Sequence, residues 1–170
     1  MDRVYLETKF MTDDAGTVSG IGWKFDQPDR VGDMIDVKAF AKAALPIPML
    51  FGHDQNDPIG TWIAAEAKAG GWHLTGKMLV DEVARAREVN ALVKSGAVRG
   101  ISIGFITRKA TSRAGGGRMI SELELLEASL VTIPMHPGAR VTSAKSALQA
   151  LAIAEAINRA TAALSKGTAR

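Results

Sequence analysis

Cysteine is absent from the 170 residues, which excludes a disulfide framework, a thiolate metal site and a cysteine nucleophile. Any covalent catalysis must use another side chain. Histidine is nearly absent too, with three residues, and aromatic residues make up 5% of the chain. Nowhere do about 18 uninterrupted apolar residues occur, and Met1–Glu7 has no basic segment leading into an apolar run, so neither a membrane span nor a signal peptide is expected. There is no P-loop, no dinucleotide fingerprint and no internal repeat.

What is present suits one ordinary globular domain: 46% hydrophobic and 23% charged residues, with a net charge of +3. Residues 81–120 hold eight Lys/Arg against three Asp/Glu. Such a stretch could draw an acidic partner or nucleic acid, but its scattered charges and few interleaved aromatics favour a solvated face. Nucleic acid is not expected as a partner, and neither is a membrane.

The chain reads as many short strands with a few helices, which favours a mostly antiparallel α+β domain over a parallel βαβ sheet. Strands are expected over 3–10, 17–25, 47–51, 59–66, 72–79, 97–107 and 119–133. Gly20 and Gly22 suggest a bulge or bend that lets a sheet curl. Asp36 is expected to cap a short helix through about Leu45, ended by Pro46 and Pro48. Asp81 is expected to cap a helix over 82–95, ended by Gly96. A turn is placed over 108–118, around Gly115-Gly116-Gly117. From about 146 to 164 an alanine-rich segment with Leu148, Leu151, Ala154 and Ile157 near helical spacing reads as a terminal amphipathic helix. Residues 1–142 are thereby separated from a helix and tail at 143–170.

Within 97–107, alternation puts Ile101, Ile103 and Phe105 on one face and Gly100, Ser102 and Gly104 on the other. The hydroxyl of Ser102 then stands between two positions with no side chain, where an extended peptide could approach a serine nucleophile. Equally, a structural serine can sit beside glycines needed for packing. A serine nucleophile needs a base that titrates near neutrality, and histidine suits that task. His73 lies inside a strand, and His136 lies in the rigid turn Pro134-Met135-His136-Pro137. His53 leaves an apolar strand and enters a polar turn, where Asp54 and Asp57 are explained by turn formation. Glu127 sits in Leu123-Glu124-Leu125-Leu126-Glu127-Ala128-Ser129-Leu130-Val131, where both alternating faces have become apolar. A carboxylate there requires a partner.

These segments together resemble the prohead (capsid maturation) protease family of tailed bacteriophages, related to the herpesvirus assemblins. The marks are Gly52-His53-Asp54 with Pro58-Ile59-Gly60, Gly100-Ile101-Ser102-Ile103-Gly104-Phe105, and Leu126-Glu127-Ala128-Ser129-Leu130-Val131-Thr132-Ile133-Pro134, with Gly32-Asp33 leading into Ala39-Phe40. The resemblance covers roughly 1–142. It implies a closed or nearly closed, mostly antiparallel β-barrel with flanking helices, in which Ser102 attacks the scissile carbonyl, His53 transfers the proton and Glu127 takes the third position. Pro-Met-His-Pro at 134–137 departs from the Pro-Ala-Asn-Pro common in the family, which leaves His136 as an alternative third member, as in assemblin. Backbone amides near the strand, with Arg99, are candidates for the oxyanion. The implied enzyme is a serine endopeptidase without cofactor or metal. It would cleave capsid precursor and scaffold, and itself, inside the procapsid in the host cytoplasm; the C-terminal helix could pair two copies in a homodimer, as in assemblin, tether the enzyme to scaffold, or pack on its own barrel. The rival is a non-enzymatic capsid- or scaffold-binding module on the same barrel.

Overall fold

The structure is a computed structural model that describes residues 15–68 and 70–142. The strand expected at 3–10 and the terminal helix expected at 146–164 lie outside the described residues, as does any dimer contact through that helix. Eight strands follow in order: β1 (Thr17–Lys24), β2 (Met34–Ile35), β3 (Ile47–Phe51), β4 (Pro58–Lys68), β5 (Gly71–Met78), β6 (Gly100–Ser112), β7 (Arg118–Val131) and β8 (Arg140–Val141). A 3₁₀ turn (Val37–Phe40) and one helix, α1 (Ala84–Lys94), interrupt them.

Seven strands close a ring in the order β7-β3-β4-β5-β1-β8-β6 and back to β7, and β2 pairs with the start of β7, at Met119 and Ile120. The expected barrel is therefore present. Its pairings are antiparallel except β3 and β2 on β7, which are parallel. Side chains alternate across the ring as strand geometry demands. Met49, Ile59, Trp62, Leu74, Met78, Ile101 and Leu130 fill the interior with almost no exposure, and each such side chain stabilises the fold by roughly 1.5–3 kcal/mol. The Trp62 indole, buried in this core, donates to the Ala128 carbonyl of β7 at 2.8 Å. Its polar atom is thus satisfied and β7 is pinned from inside.

The expected bend in β1 is a register shift between Ile21 and Trp23, at Gly22. Three expectations are corrected. The helix from Asp36 is only one 3₁₀ turn: Asp36 does cap it, accepting from the Lys38 amide at 2.8 Å, but Phe40 then stacks on Trp72 at 4.5 Å and fixes the chain against the core. Asp81 does not cap α1. The Val83 amide bonds back to the Leu79 carbonyl at 2.8 Å, so a turn occupies the segment around Asp81 and the helix starts later, at Ala84, without a side-chain cap. The turn expected over 108–118 shrinks to the residues between β6 and β7. Cross-strand pairs such as Lys109 with Glu122 and Ser112 with Arg118 extend the ribbon outward.

Candidate active site

The β6–β7 ladder sets the frame. Ile101 pairs with Leu130 and Ile103 with Ala128, all facing the core, so the intervening pairs face outward. Those are Ser102 with Ser129 and Gly104 with Glu127. Residues directly opposite in an antiparallel pair have Cβ atoms about 5 Å apart. Ser102, Ser129 and Glu127 therefore share one small patch of the outer face.

Glu127 reaches that face through a bulge. The register passes from Gly104–Glu127 to Phe105–Leu125, leaving Leu126 unpaired and about half exposed. Leu123 and Leu125 turn inward before the bulge, and Ala128 and Leu130 after it. Bulges re-aim side chains in this way. The apolar character of both alternating faces around Glu127 is the mark of that change of parity.

His53 comes from the end of β3, which lies parallel to β7. The ladder continues for one rung as the Gly52 amide donates to the Leu130 carbonyl at 3.1 Å. The next amide, of His53, donates instead to the Ser129 hydroxyl at 3.0 Å. His53 has φ 65°, alone among the described non-glycine residues in being left-handed, a conformation that costs roughly 1–2 kcal/mol and gathers at functional sites. Asp54 and Asp57 shape the loop beyond. The Asp54 carboxylate accepts from the Asn56 amide at 2.8 Å, and Asp57 binds Arg85 of α1 at 2.9 Å. The Arg85 guanidinium also stands 4.6 Å over the Phe51 ring.

This placement brings His53 Nδ1 to 2.7 Å from Glu127 Oε1, while the other oxygen, Oε2, accepts from Ser129 Oγ at 2.7 Å. The partner that Glu127 required is His53. The bond to the carboxylate raises the His53 pKa above its ordinary 6.5, against the opposing effect of burial. The imidazole is about half exposed and the carboxylate largely covered, at 45% and 13%. With Nδ1 engaged, Nε2 makes no hydrogen bond among the described residues and can accept a proton. Ser102 is largely buried and lies beside a cleft of about 190 Å³, lined also by Trp23, Ile103, Phe105, Met135 and Arg118.

The glycines beside Ser102 have a different role from the expected approach path. A methyl group at Gly104 would collide with the Glu127 carboxylate, and one at Gly100 with the Pro134 ring. Gly104 thus makes room for the acid.

Neither of the other two histidines bonds to this pair, and His136 lines the cleft beside Ser102. His136 is fully buried, with Nε2 3.0 Å from the Gln27 carbonyl and Nδ1 accepting from the Gly138 amide at 3.0 Å. An accepting Nδ1 fixes the Nε2–H tautomer, so the ring locks the 134–138 turn and both nitrogens are engaged away from His53. His73 is paired opposite Ile21 in the β1–β5 ladder. Arg99 is exposed just before β6. The basic stretch is largely engaged: Arg85 pairs with Asp57 and Glu88, Arg108 with Glu124 and Arg118 with Asp33, while Arg87 and Arg113 donate to backbone carbonyls. Among the described residues no three His, Asp or Glu side chains group as metal ligands.

Sequence reasoning missed Ser129 as a hub, although its position two residues from Glu127, on the same strand face, was a signal. It missed also the clasp at the turn end of the ribbon, whose Asp33 and Arg118 side chains line the cleft beside Ser102. There the buried Asp33 carboxylate accepts from the Arg118 amide at 2.7 Å, from Nε at 3.0 Å and from Nη2 at 2.5 Å.

Residues 5–152 match the family described as Caudovirus prohead serine protease. The chain is 34% identical over 153 residues to a capsid polyprotein of Pseudomonas phage PAJU2, covering 85% of this chain and 23% of that protein. It is 27% identical over 148 residues to the prohead protease of Enterobacteria phage HK97, covering 82% and 65%. The chain thus spans less than two thirds of the length of each of these curated relatives. Among solved structures, the KSHV protease in complex with a hexapeptide phosphonate inhibitor has a similar fold, with a TM-score of 0.54 at 14% identity over 84% of this chain and 76% of the other.

Proposed function

The chain belongs to the Caudovirus prohead serine protease family, and we propose that it is a serine endopeptidase whose nucleophile is Ser102, whose general base is His53 and whose third member is Glu127. The observation that carries this reading is the 2.7 Å bond between His53 Nδ1 and Glu127 Oε1, made on the same outer face of the ribbon as Ser102. A carboxylate on Nδ1 holds the imidazole with Nε2 free and favours its charged form. The engagement of both His136 nitrogens elsewhere supports Glu127 over His136 as the third member.

In this mechanism Ser102 Oγ attacks the peptide carbonyl carbon as its proton passes to His53 Nε2. The imidazolium is stabilised by Glu127. Collapse of the tetrahedral intermediate breaks the C–N bond, and Nε2 returns the proton to the departing amine. Water then adds to the acyl-enzyme, giving its proton to Nε2, and the acid product leaves as Ser102 regains a proton. The cleft beside Ser102, lined by Trp23, Ile103, Phe105 and Met135 and also by Asp33 and Arg118, suits a substrate side chain.

The substrates proposed are the capsid precursor and scaffold, together with the chain itself, inside the procapsid in the host cytoplasm. Residues 1–142 form the protease unit in this proposal. The expected pairing of two copies is assigned in this proposal to residues 143–170, outside the described residues. Confinement in a procapsid raises effective concentration, so modest intrinsic activity suffices. Co-expression of the chain with its phage's capsid precursor tests the assignment. Cleavage should vanish in Ser102→Ala while the fold persists, and unchanged cleavage by that variant would leave a capsid-binding module as the better account.

A further inference from the structure

We propose that Ser129 is a positioning residue that sets the general base and its acid at once, holding Glu127 through Oε2 and holding the left-handed His53 backbone through its amide. The inference rests on the triad reading above and deepens it. Ser129 is wholly buried, and a buried hydroxyl must find partners. Its two partners both belong to the site: the hydroxyl donates to Glu127 Oε2 at 2.7 Å and accepts from the His53 amide at 3.0 Å. No other described side chain touches both residues by hydrogen bonds.

The two bonds act on different freedoms. Glu127 could turn its carboxylate about the last torsion, which is soft, and present either oxygen, or neither, to the imidazole. With Oε2 fixed by Ser129, Oε1 is aimed at Nδ1. His53 could relax its backbone out of φ 65°, since a left-handed conformation needs surrounding contacts to persist. The bond from its amide to Ser129 keeps it there. Ser129 also stands directly across the ladder from Ser102, so one rung spaces the nucleophile from the base–acid pair. The chemistry of Ser129 is therefore indirect: it touches neither substrate nor reacting atoms and acts through His53 and Glu127.

A fluorophosphonate reporter tests this without knowledge of the natural cleavage site, because its reaction rate reads the nucleophilicity of an activated serine. The full chain is labelled and the modified residue mapped by peptide mass spectrometry. Ser129→Ala should slow labelling at Ser102 by about 10- to 100-fold, and Ser129→Thr, which keeps the hydroxyl, should recover most of that loss. In a Glu127→Gln background Ser129→Ala should cost clearly less than in the parent chain, since the acid it aims is already disabled and only its hold on the His53 amide is left to lose. Equal losses in both backgrounds would mean that Ser129 does not act through Glu127 and would overturn the inference that it sets base and acid at once. So would an unaltered rate in Ser129→Ala. Labelling at a residue other than Ser102 overturns the triad reading itself. A measurement on the unsubstituted chain stands beside these: the His53 amide should exchange its hydrogen at least about tenfold more slowly than in an unstructured chain, and an unprotected amide would overturn the proposal.

Discussion

The two ends of the β6–β7 ribbon each hold a carboxylate out of water, and they use it in opposite ways. At the far end Asp33 is ringed by donors from one arginine: the Arg118 amide, Nε and Nη2. Arginine stays charged at any working pH, so this cluster can only hold. At the near end Glu127 faces an imidazole and a hydroxyl, one of which titrates near neutrality. The same ribbon thus ties down the hairpin at one end and can move a proton at the other. What separates chemistry from architecture here is the partner of the carboxylate rather than its burial.

Substitutions should separate the two ends in a definite order. Ser102→Ala removes the nucleophile and should lower peptide cleavage by a factor on the order of 10⁴–10⁶, with an unchanged melting temperature; a loss below tenfold would detach Ser102 from the chemistry. Glu127→Gln should lower kcat by about 10²–10⁴. Because Glu127 raises the His53 pKa, the acid limb of the kcat/KM profile, where protonation of His53 removes the base, should move to lower pH in that variant. A limb that stays put would break the assignment of His53. Gly104→Ala must push the Glu127 carboxylate aside, and a reduction of about 10- to 100-fold is expected, from misaligning rather than deleting the acid. Asp33→Ala should instead cost about 1–3 kcal/mol of stability, by leaving the Arg118 amide without its acceptor. Its folded fraction should keep cleavage within roughly tenfold, as read by denaturant titration beside an active-site-normalised rate.

The pH dependence of stability should also differ in sign between the ends. Arg118 lowers the Asp33 pKa from its ordinary 3.8, so that contribution is present above 3.8 and lost as pH falls through the lowered value. His53 is raised above its ordinary 6.5, so its pairing contributes fully below 6.5 and is lost as pH rises through the raised value. Activity runs against this second trend, since catalysis needs the neutral ring. Stability curves of Asp33→Ala and Glu127→Gln across pH 3–9, each subtracted from the parent chain, report the two signs separately.

Much of the barrel was legible because strand alternation is a local signal. β1, β3, β4 and β5 fall close to where the apolar periodicity places them, and the bend at Gly22 follows from the glycine itself. Closure was not legible from periodicity, since it depends on β8, two residues long, meeting both β1 and β6; the family resemblance supplied it. The short 3₁₀ turn after Asp36 was missed because a contact distant in sequence, Phe40 on Trp72, overrides local propensity, and the late start of α1 because the Val83 amide closes a turn on the Leu79 carbonyl first. In the candidate site, Glu127 was conspicuous as a carboxylate among apolar neighbours on both parities. The cause, a bulge at Leu126, lies in the pairing register, which no single strand reveals. Ser129 was overlooked because a strand serine is unremarkable until its neighbours are placed. Gly104 was read as either open space beside Ser102 or a glycine needed for packing, and its missing side chain makes room for the Glu127 carboxylate.

The most direct test of Ser102 and His53 as nucleophile and base is to treat the full chain with a fluorophosphonate and map the adduct by peptide mass spectrometry. The triad predicts one phosphonylated residue, Ser102, with labelling abolished in His53→Ala and retained in His136→Ala. An adduct on another serine, or labelling that survives His53→Ala and fails in His136→Ala, would contradict it.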